Sequence, residues 1–298
     1  MEICAVVVTY NRVDKLKKAL ACYANQTKKV DKLVLVDNGS NSETKKYINE
    51  WIKIDDGYKK FLVSLETNTG GSGGFFYGMK KAQEIGYDYI YLADDDLYLE
   101  NDVFEKFVQF EKKHNEFKVF CLQEYNSAGI IFSHRAILKK KSGIYVFHSV
   151  DVKSYDKEYF FVDLFSFAGA FIHHSVIDKC GYPKKEYFIW YDDAEYSLRI
   201  IKTEKIVCVP NIKAYHDVDE KSNELSWKMY YGMRNLFDLY RTHFSKIVNH
   251  LFLLRFYIKN IILFFTNKKL LRIRLDGYKD FKRGRFGISE KYKPGTKI

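Results

Sequence analysis

The stretch Tyr89-Ile90-Tyr91-Leu92-Ala93-Asp94-Asp95-Asp96 carries an unbroken apolar run into three consecutive carboxylates. Apolar at every residue rather than every second one, the run reads as a strand covered on both faces, as in a parallel sheet sandwiched between helices. The residues upstream agree. Segments 3–8 and 33–36 are β-branched or aliphatic throughout, 61–65 is a further strand candidate, and 12–23, 43–52 and 75–85 show helical spacing between them. Strand and helix alternating in this way specify an α/β fold, a Rossmann-like, mostly parallel sheet with helices on both faces. Ligands of such sheets bind at the carboxyl ends of the strands. Three polar clusters fall there: Thr9-Tyr10-Asn11-Arg12, Asp37-Asn38-Gly39-Ser40 and the triplet at 94–96.

Side chains alternate along an extended segment, so Asp94 and Asp96 face one side and Asp95 the other. Two carboxylates converging at an open strand end form a hard site for Mg²⁺ or Mn²⁺, with coordination positions left for phosphate oxygens. The competing account is an acidic turn before a helix starting near Asn101-Asp102, but capping explains the later residues and not the triplet. The run from Asn68 through Gly70, Gly71, Gly73 and Gly74 to Phe75 is not a dinucleotide fingerprint, because Phe76 stands where the third glycine belongs. Nor is it the phosphate loop of nucleotide hydrolases, since Met79 replaces the required lysine. What remains is a flexible loop opening a helix, whose amides can meet an anion, with Asn68 and Gly73 as contact candidates. A plain glycine turn is the alternative.

In the second half, Phe167-Ala168-Gly169-Ala170-Phe171-Ile172 reads as a small-residue strand, with Gly169 letting another segment approach. Further on, the aromatic run at 187–191 enters Asp192-Asp193-Ala194-Glu195, where Asp192 and Glu195 fit a capping box at a helix start. Asp193 is left over, either a general base or a helix-start acid. His216 closes a short strand after Pro210; a lone imidazole is more often a structural group than a metal ligand. For Arg234-Asn235, within a helix pattern over 227–243, a surface salt bridge is a simpler reading than contact with phosphate or acceptor.

Five cysteines without Cys-x-x-Cys spacing argue against a zinc cluster or disulfide framework, and the 47% apolar content excludes disorder. The N-terminal MEICAVVVTYN has no basic region ahead of its short apolar run, so a cytoplasmic chain is expected. The net charge of +11 is concentrated at one end: residues 226–298 hold 17 Lys+Arg against 4 Asp+Glu, while 1–225 hold 32 against 34. In the same region Ile247, Leu251, Leu254, Ile258, Ile261 and Phe265 form one apolar stripe on a helix. Arg255 and Lys259 would each cost about 2.5–3.5 kcal/mol at a bilayer centre, which disfavours a span. Lying in the interface lets those side chains reach lipid phosphates. Lys268, Lys269, Arg272, Arg274, Lys279, Lys282, Arg283 and Arg285 would add about 1 kcal/mol per charge near an anionic leaflet. The expectation is therefore peripheral association with the inner face of the cell membrane and no nucleic-acid partner. Packing in a core, or between copies in a homo-oligomer, is the other reading of the stripe. The chain divides accordingly into 1–225, with halves at 1–100 and 101–225, and a basic amphipathic helical region at 226–298.

Taken in order, Thr9-Tyr10-Asn11-Arg12, Asp37-Asn38-Gly39-Ser40, the glycine run at 68–75, the triplet at 94–96, Phe167-x-Gly-Ala-Phe171, Asp192-Asp193-x-Glu-Tyr-x-Leu-Arg199 and His216 resemble inverting family 2 glycosyltransferases of the GT-A fold. Within that family the chain looks most like the galactofuranosyl- and rhamnosyltransferase branch that builds bacterial surface polysaccharides. The ordered combination carries the resemblance; no single motif does. It implies a nucleotide-sugar donor, UDP-galactofuranose first and dTDP-rhamnose or another UDP-hexose second. Thr9, Asn11, Arg12 and Asp37 would bind the nucleotide, Asp37 at its base, with Asn68, Gly73 and Asp95 beside them. Asp94, Asp96 and His216 would hold Mn²⁺ or Mg²⁺, Asp193 would be the catalytic base, and Trp190, Tyr191 and Asp192 would face the acceptor. The implied mechanism is a single displacement with inversion. In the galactofuranosyl branch a Trp commonly precedes the aspartate pair directly, whereas Tyr191 does so here and Trp190 sits one earlier. A polyprenyl-linked glycan is the expected acceptor, extended by one or few sugars. A nucleotidyltransferase would need a glycine-rich basic loop after the first strand, which 9–12 lacks, and an inactive membrane adaptor would have lost metal or base positions that are all present here.

Overall fold

A computed structural model describes residues 1–218 and 225–298. Its first hundred residues follow the expected alternation: β1 (Ile3–Thr9), α1 (Val13–Ala24), β2 (Lys32–Asp37), α2 (Ser42–Trp51), β3 (Lys59–Ser64), α3 (Gly70–Ile85) and β4 (Tyr89–Asp94). The four strands pair in parallel, with Thr9 opposite Asp37 and Val8 opposite Asp94. The polar clusters therefore share one rim. Every residue of β1 and β2 is buried, because helices cover both faces: Leu16, Leu20 and Phe104 pack on one side, Phe75, Met79 and Ile177 on the other. Each aliphatic side chain so buried contributes about 1.5–3 kcal/mol.

The glycine run is the first departure. It is not a loop: α3 begins at Gly70, five residues earlier than its spacing predicts. The glycines serve close packing, since a Cβ at Gly74 would lie 2.4 Å from Val8 and one at Gly78 2.4 Å from Val6. Gly70 alone needs backbone freedom, with φ of +75° and the Phe188 carbonyl where a side chain would be.

Beyond the triplet come β5 (Leu97–Leu99), α4 (Val103–Lys113), β6 (Val119–Asn126), β7 (Gly129–Ile130), β8 (Arg135–Lys141), β9 (Ile144–Ser149), β10 (Phe160–Val162), β11 (Leu164–Phe165) and β12 (Ala170–His173). β12 is shorter than the expected strand and leaves Gly169 just outside it, where Leu122 fills the space a Cβ would take. Then follow α5 (His174–Cys180), α6 (Asp192–Ile200), β13 (Ile206–His216), α7 (Lys228–His243), α8 (Lys246–Thr266) and α9 (Lys268–Lys282). The main sheet runs β10-β13-β6-β12-β4-β1-β2-β3, with β12 antiparallel to β4 and β6. β8, β9 and β11 form a small antiparallel sheet that the spacing of apolar residues in 119–165 does not announce.

β13 passes through Pro210 rather than starting after it, and a register shift between Val209 and Lys213 absorbs the missing amide donor. Past that bulge β13 pairs with β6 and with β5 at once, setting Ala214 opposite Glu124 and His216 opposite Leu97. This pairing carries His216 to the carboxylate triplet.

At the other end of the chain α9 lies across α7, so closely that a Cβ at Gly277 would meet the Tyr230 carbonyl at 2.8 Å. Tyr230 donates to Asp280 and Tyr231 to the Tyr292 carbonyl, fastening the C-terminal segment to the body.

Candidate active site

The rim of the sheet holds a cleft of about 290 Å³ lined by Thr9, Tyr10, Arg12, Asn38, Asn68, Gly70, Gly71 and Asp94, and closed on the far side by Phe188, Ile189, Trp227, Lys228 and Pro294. Thr9, Arg12 and Asn68 thus stand where the sequence places them. Asn11 and Asp37 do not line it. Asp37 is buried and accepts from the Ser40 amide, while Asn11, with φ of 56°, accepts from the Asn41 amide; both shape the loops beside the cleft. Gly73 is buried inside α3 against Thr69, and Gly70 and Gly71 take the expected place of a glycine backbone facing the cleft. Asn68 accepts from the Gly70 amide at 2.8 Å, so it also holds the start of α3.

Asp94, Asp96 and His216 present ligand atoms within 4.8 Å of one another. Cations of the protein already crowd these carboxylates: Arg12 Nη1 is 2.6 Å from Asp96, Arg12 Nη2 pairs with Asp95, and Lys15 Nζ is 3.7 Å from Asp96. Asp95 and Asp96 lie in the turn between β4 and β5 rather than in an extended strand, so the expected alternation does not set their directions; Asp95 shares the Arg12 guanidinium with Asp96 and accepts from Thr9 Oγ1 at 2.6 Å. Burial and the neighbouring Asp96 push the Asp94 carboxyl up to about 7; burial likewise lifts Asp95 to about 6, against the pull of Arg12. Carboxylates this reluctant to ionise alone, next to an imidazole, fit a hard divalent cation such as Mn²⁺ or Mg²⁺.

His216 is oriented from behind. Its Nδ1 lies 2.6 Å from Glu124 Oε2, which leaves Nε2 facing Asp96 Oδ1 at 3.4 Å. Burial opposes charge on this ring, but Asp96 and Glu124 outweigh it and push the imidazole up to about 10. A metal ion at Nε2 would have to displace that proton. Glu124 is itself held by His134 at 2.7 Å, Arg135 at 2.9 Å and Ser166 at 2.7 Å; despite complete burial, Arg135 and the hydrogen bonds from His134 and His216 keep its carboxyl well below the usual range. Glu124, His134 and His216 also lie within 4.8 Å. Because Glu124 is already engaged on both oxygens, this second group acts as a hub that fixes the His216 ring. Sequence reasoning missed Glu124. Its signal was a carboxylate in β6 just past the apolar run Val119-Phe120-Cys121-Leu122, followed ten residues later by His134-Arg135.

Asp193 lies in the first turn of α6. The capping box does not form: the N-cap is Tyr191, and Glu195 instead binds Arg199 at 2.9 Å and His243 at 3.2 Å. Asp193 Oδ1 accepts from its neighbour's amide, Ala194 N, at 2.6 Å. Burial first, then the charge on Asp192, push the Asp193 carboxyl up to about 8, with Asp94 and Glu124 adding to the repulsion. Asp192 is buried and also raised, mainly by that burial. Trp190 is 41% exposed while Tyr191 packs toward Leu198 and Tyr240. Arg234 and Asn235 form no surface salt bridge; both are buried and donate to backbone carbonyls of 186–190 and to that of Gly287.

The sequence profile of Glycosyl transferase family 2 matches residues 4–167. The chain belongs to that family. Among curated relatives, galactofuranosyltransferase GlfT1 of Mycolicibacterium smegmatis is 35% identical over 94 residues, 32% of this chain and 30% of the relative. The chain therefore spans under a third of that protein's length. The dTDP-rhamnosyl transferase RfbF of Shigella flexneri is 26% identical over 257 residues, 80% of each chain. Among solved structures, S. aureus TarS 1-349 in complex with UDP-GlcNAc superposes with a TM-score of 0.62 at 15% identity, covering 94% of this chain and 80% of that one. GalNAc-T7 with UDP, GalNAc and Mn²⁺ gives 0.62 at 14% identity, covering 80% and 48%. These likenesses establish the GT-A-like fold.

A raised pKa at Asp193 fixes the sign of a stability effect. The folded state holds this proton more tightly than the unfolded chain, so the associated stability is complete below the ordinary carboxylate range and is lost as pH rises through about 8. In chelator-treated protein, Asp193→Asn is expected to raise the thermal midpoint above wild type at pH 8 and to leave it nearly unchanged at pH 4. Differential scanning calorimetry at both pH values checks this; equal midpoints at pH 8 would show that Asp193 ionises at no cost to the fold.

Proposed function

We propose that this glycosyltransferase is metal-dependent and inverting, and that it transfers galactofuranose from UDP-galactofuranose to a lipid-linked glycan in bacterial surface polysaccharide synthesis. The observation that carries the reading is the convergence of Asp94, Asp96 and His216 on the rim of a cleft lined by Thr9, Arg12 and Asn68, with Asp193 close enough to feel the charge of Asp94. The relatives' names favour galactofuranose, and rhamnose from dTDP-rhamnose is the second candidate donor. A divalent ion held by Asp94, Asp96 and His216 would supply Lewis acidity to the departing diphosphate. Asp193 takes the proton of the acceptor hydroxyl as its oxygen attacks the anomeric carbon, on the face opposite the leaving nucleotide. The proton resides on the free oxygen, Oδ2, since Oδ1 is held by the Ala194 amide. A carboxyl raised toward neutrality is a stronger base than an ordinary aspartate, which suits it to this step.

The C-terminal region supplies the proposed membrane contact. In α8 most of the stripe anticipated from sequence faces away from the body: Ile247 is 74% exposed, Leu254 55%, Ile258 51%, Ile261 64% and Phe265 80%, whereas Leu251 packs against the small sheet at Gly143. The opposite side, with Val248, Phe256 and Leu263, packs inward, so core packing does not account for the stripe. The helix is 21 residues long with mean hydropathy 1.4, enough by length and composition to cross a bilayer. Arg255 and Lys259 and the basic α9 favour instead a helix lying in the anionic interface on the cytoplasmic side.

With UDP-galactofuranose and Mn²⁺, Asp193→Asn is expected to bind UDP as wild type does and to lose transfer about 10²–10⁴-fold. NMR of the product should show the inverted anomer. Full turnover by the variant, or retention, would contradict the base assignment. In a separate flotation measurement, the full chain should rise with anionic vesicles and Leu254→Glu/Ile261→Glu should stay at the bottom; equal flotation of both would reject the interfacial helix.

A further inference from the structure

Between the donor cleft and Asp193 the chain makes a turn whose backbone is unusual. Phe188, Trp190 and Tyr191 have φ of 68°, 66° and 67°, a left-handed conformation that bulky side chains rarely adopt. Such geometry persists only where its surroundings enforce it, and it gathers at functional sites. Here much of the enforcement comes from two adjacent side chains of α7, Arg234 and Asn235. Asn235 Nδ2, on α7, donates to the carbonyls of Tyr187 at 3.0 Å, Ile189 at 3.0 Å and Trp190 at 2.8 Å. Its Oδ1 accepts from Arg234 Nε at 3.1 Å, and Arg234 reaches the carbonyls of Tyr187 and Gly287 at 3.0 and 2.7 Å. Three carbonyl acceptors around one amide nitrogen leave no role for a carboxylate at this position.

One turn earlier on the same face of α7, Gly232 provides a seat. A Cβ there would lie 2.7 Å from Cε3 of the Trp190 ring, so the indole rests on the bare helix backbone. The ring is nonetheless 41% exposed. An indole fixed on one face and open on the other is a stacking surface for the apolar face of a sugar ring, three residues before the proposed base.

We propose that α7 sets the acceptor platform: Gly232 seats the Trp190 ring and Asn235 clamps the turn that carries it, both as positioning residues. This rests on the reading of the protein as a sugar transferase with its acceptor beside Asp193. The resemblance placed Trp190 and Tyr191 together at the acceptor; Tyr191 is half-buried against Leu198 and Tyr240, with its Cε2 3.6 Å from a Cβ at Gly232, so the open stacking face belongs to the tryptophan.

Isothermal titration of the full chain separates this proposal from the donor assignment, because the probes are UDP with Mn²⁺ and, independently, octyl galactofuranoside and octyl rhamnoside added to the UDP-loaded protein. Gly232→Ala is expected to weaken the better-bound glycoside at least fivefold and to leave the UDP affinity unchanged. Gly232→Ala/Trp190→Phe, with a smaller ring over the added methyl, should recover part of that loss, which general damage to the fold would not allow. Asn235→Asp should weaken the glycoside more than Gly232→Ala does, with near-UV circular dichroism reporting the displaced indole. Equal glycoside affinity in wild type and Gly232→Ala, no recovery in the double variant, or no glycoside binding at millimolar concentration by a wild type that binds UDP would each overturn the platform. Failure of UDP to bind at all would instead strike the donor reading, and the same glycoside comparison made on wild type and Gly232→Ala without UDP would then decide the platform.

Discussion

Negative charge at the end of β4 and its neutralisation govern the arrangement of this molecule. Asp94, Asp95 and Asp96 follow one another at a buried rim, and Glu124 lies behind them with no exposure to solvent. Burying that many carboxylates is tolerable only with partners at hydrogen-bond distance, and removing one member of a buried pair typically costs about 3–5 kcal/mol. The fold supplies Arg12 and Lys15 from the start of α1, His216 from the end of β13, and His134 with Arg135 from the start of the small sheet. Elements as far apart as Arg12 and His216 are drawn to one point because each brings a cation or imidazole to it. A divalent ion joining this set would relieve Arg12 and Lys15 of their role at Asp96 and free them for an anionic ligand in the adjoining cleft.

The topology explains how the same rim becomes a site rather than only a charge cluster. Parallel strands place Thr9 and Asp94 side by side, and the glycines of α3 let its first turn sit close enough to form the opposite wall with Gly70 and Gly71. β12, antiparallel between β4 and β6, sets Glu124 at the distance from the triplet that one histidine ring can bridge. The C-terminal helices then act on the second half of the cleft. They fix α7, and α7 fixes the turn from Tyr187 to Tyr191, so the region that carries the exposed apolar stripe of α8 also shapes the approach to Asp193.

Much of this was legible in the sequence, and the reasons are local. Unbroken apolar runs and helical spacing define β1 to β4 and the first helices to within a few residues, whereas the alternation expected of 94–96 fails because β4 ends at Asp94 and the next two residues turn. The stripe of α8 was legible as well, because period and charge do not depend on neighbours. The parts that were not legible depend on pairing between distant segments. Glycines at 70–74 read as a loop because the close approach to Val8 that they permit is a tertiary fact. Asp192 and Glu195 have the spacing of a capping box, but Arg199 and His243 compete for Glu195 and win. Arg234 looked like a surface ion, yet backbone carbonyls of a strained turn claim it. Glu124 went unread because its partners lie on β8 and β13.

The central claim, that Asp94, Asp96 and His216 hold the cation through which the nucleotide diphosphate binds, is tested most directly by calorimetric titration of UDP into wild type and Asp96→Asn, with Mn²⁺ and with chelator. The account predicts UDP binding by wild type only when Mn²⁺ is present, and none by Asp96→Asn under either condition although the variant remains folded. UDP binding of equal affinity with chelator, or by Asp96→Asn with Mn²⁺, would contradict it.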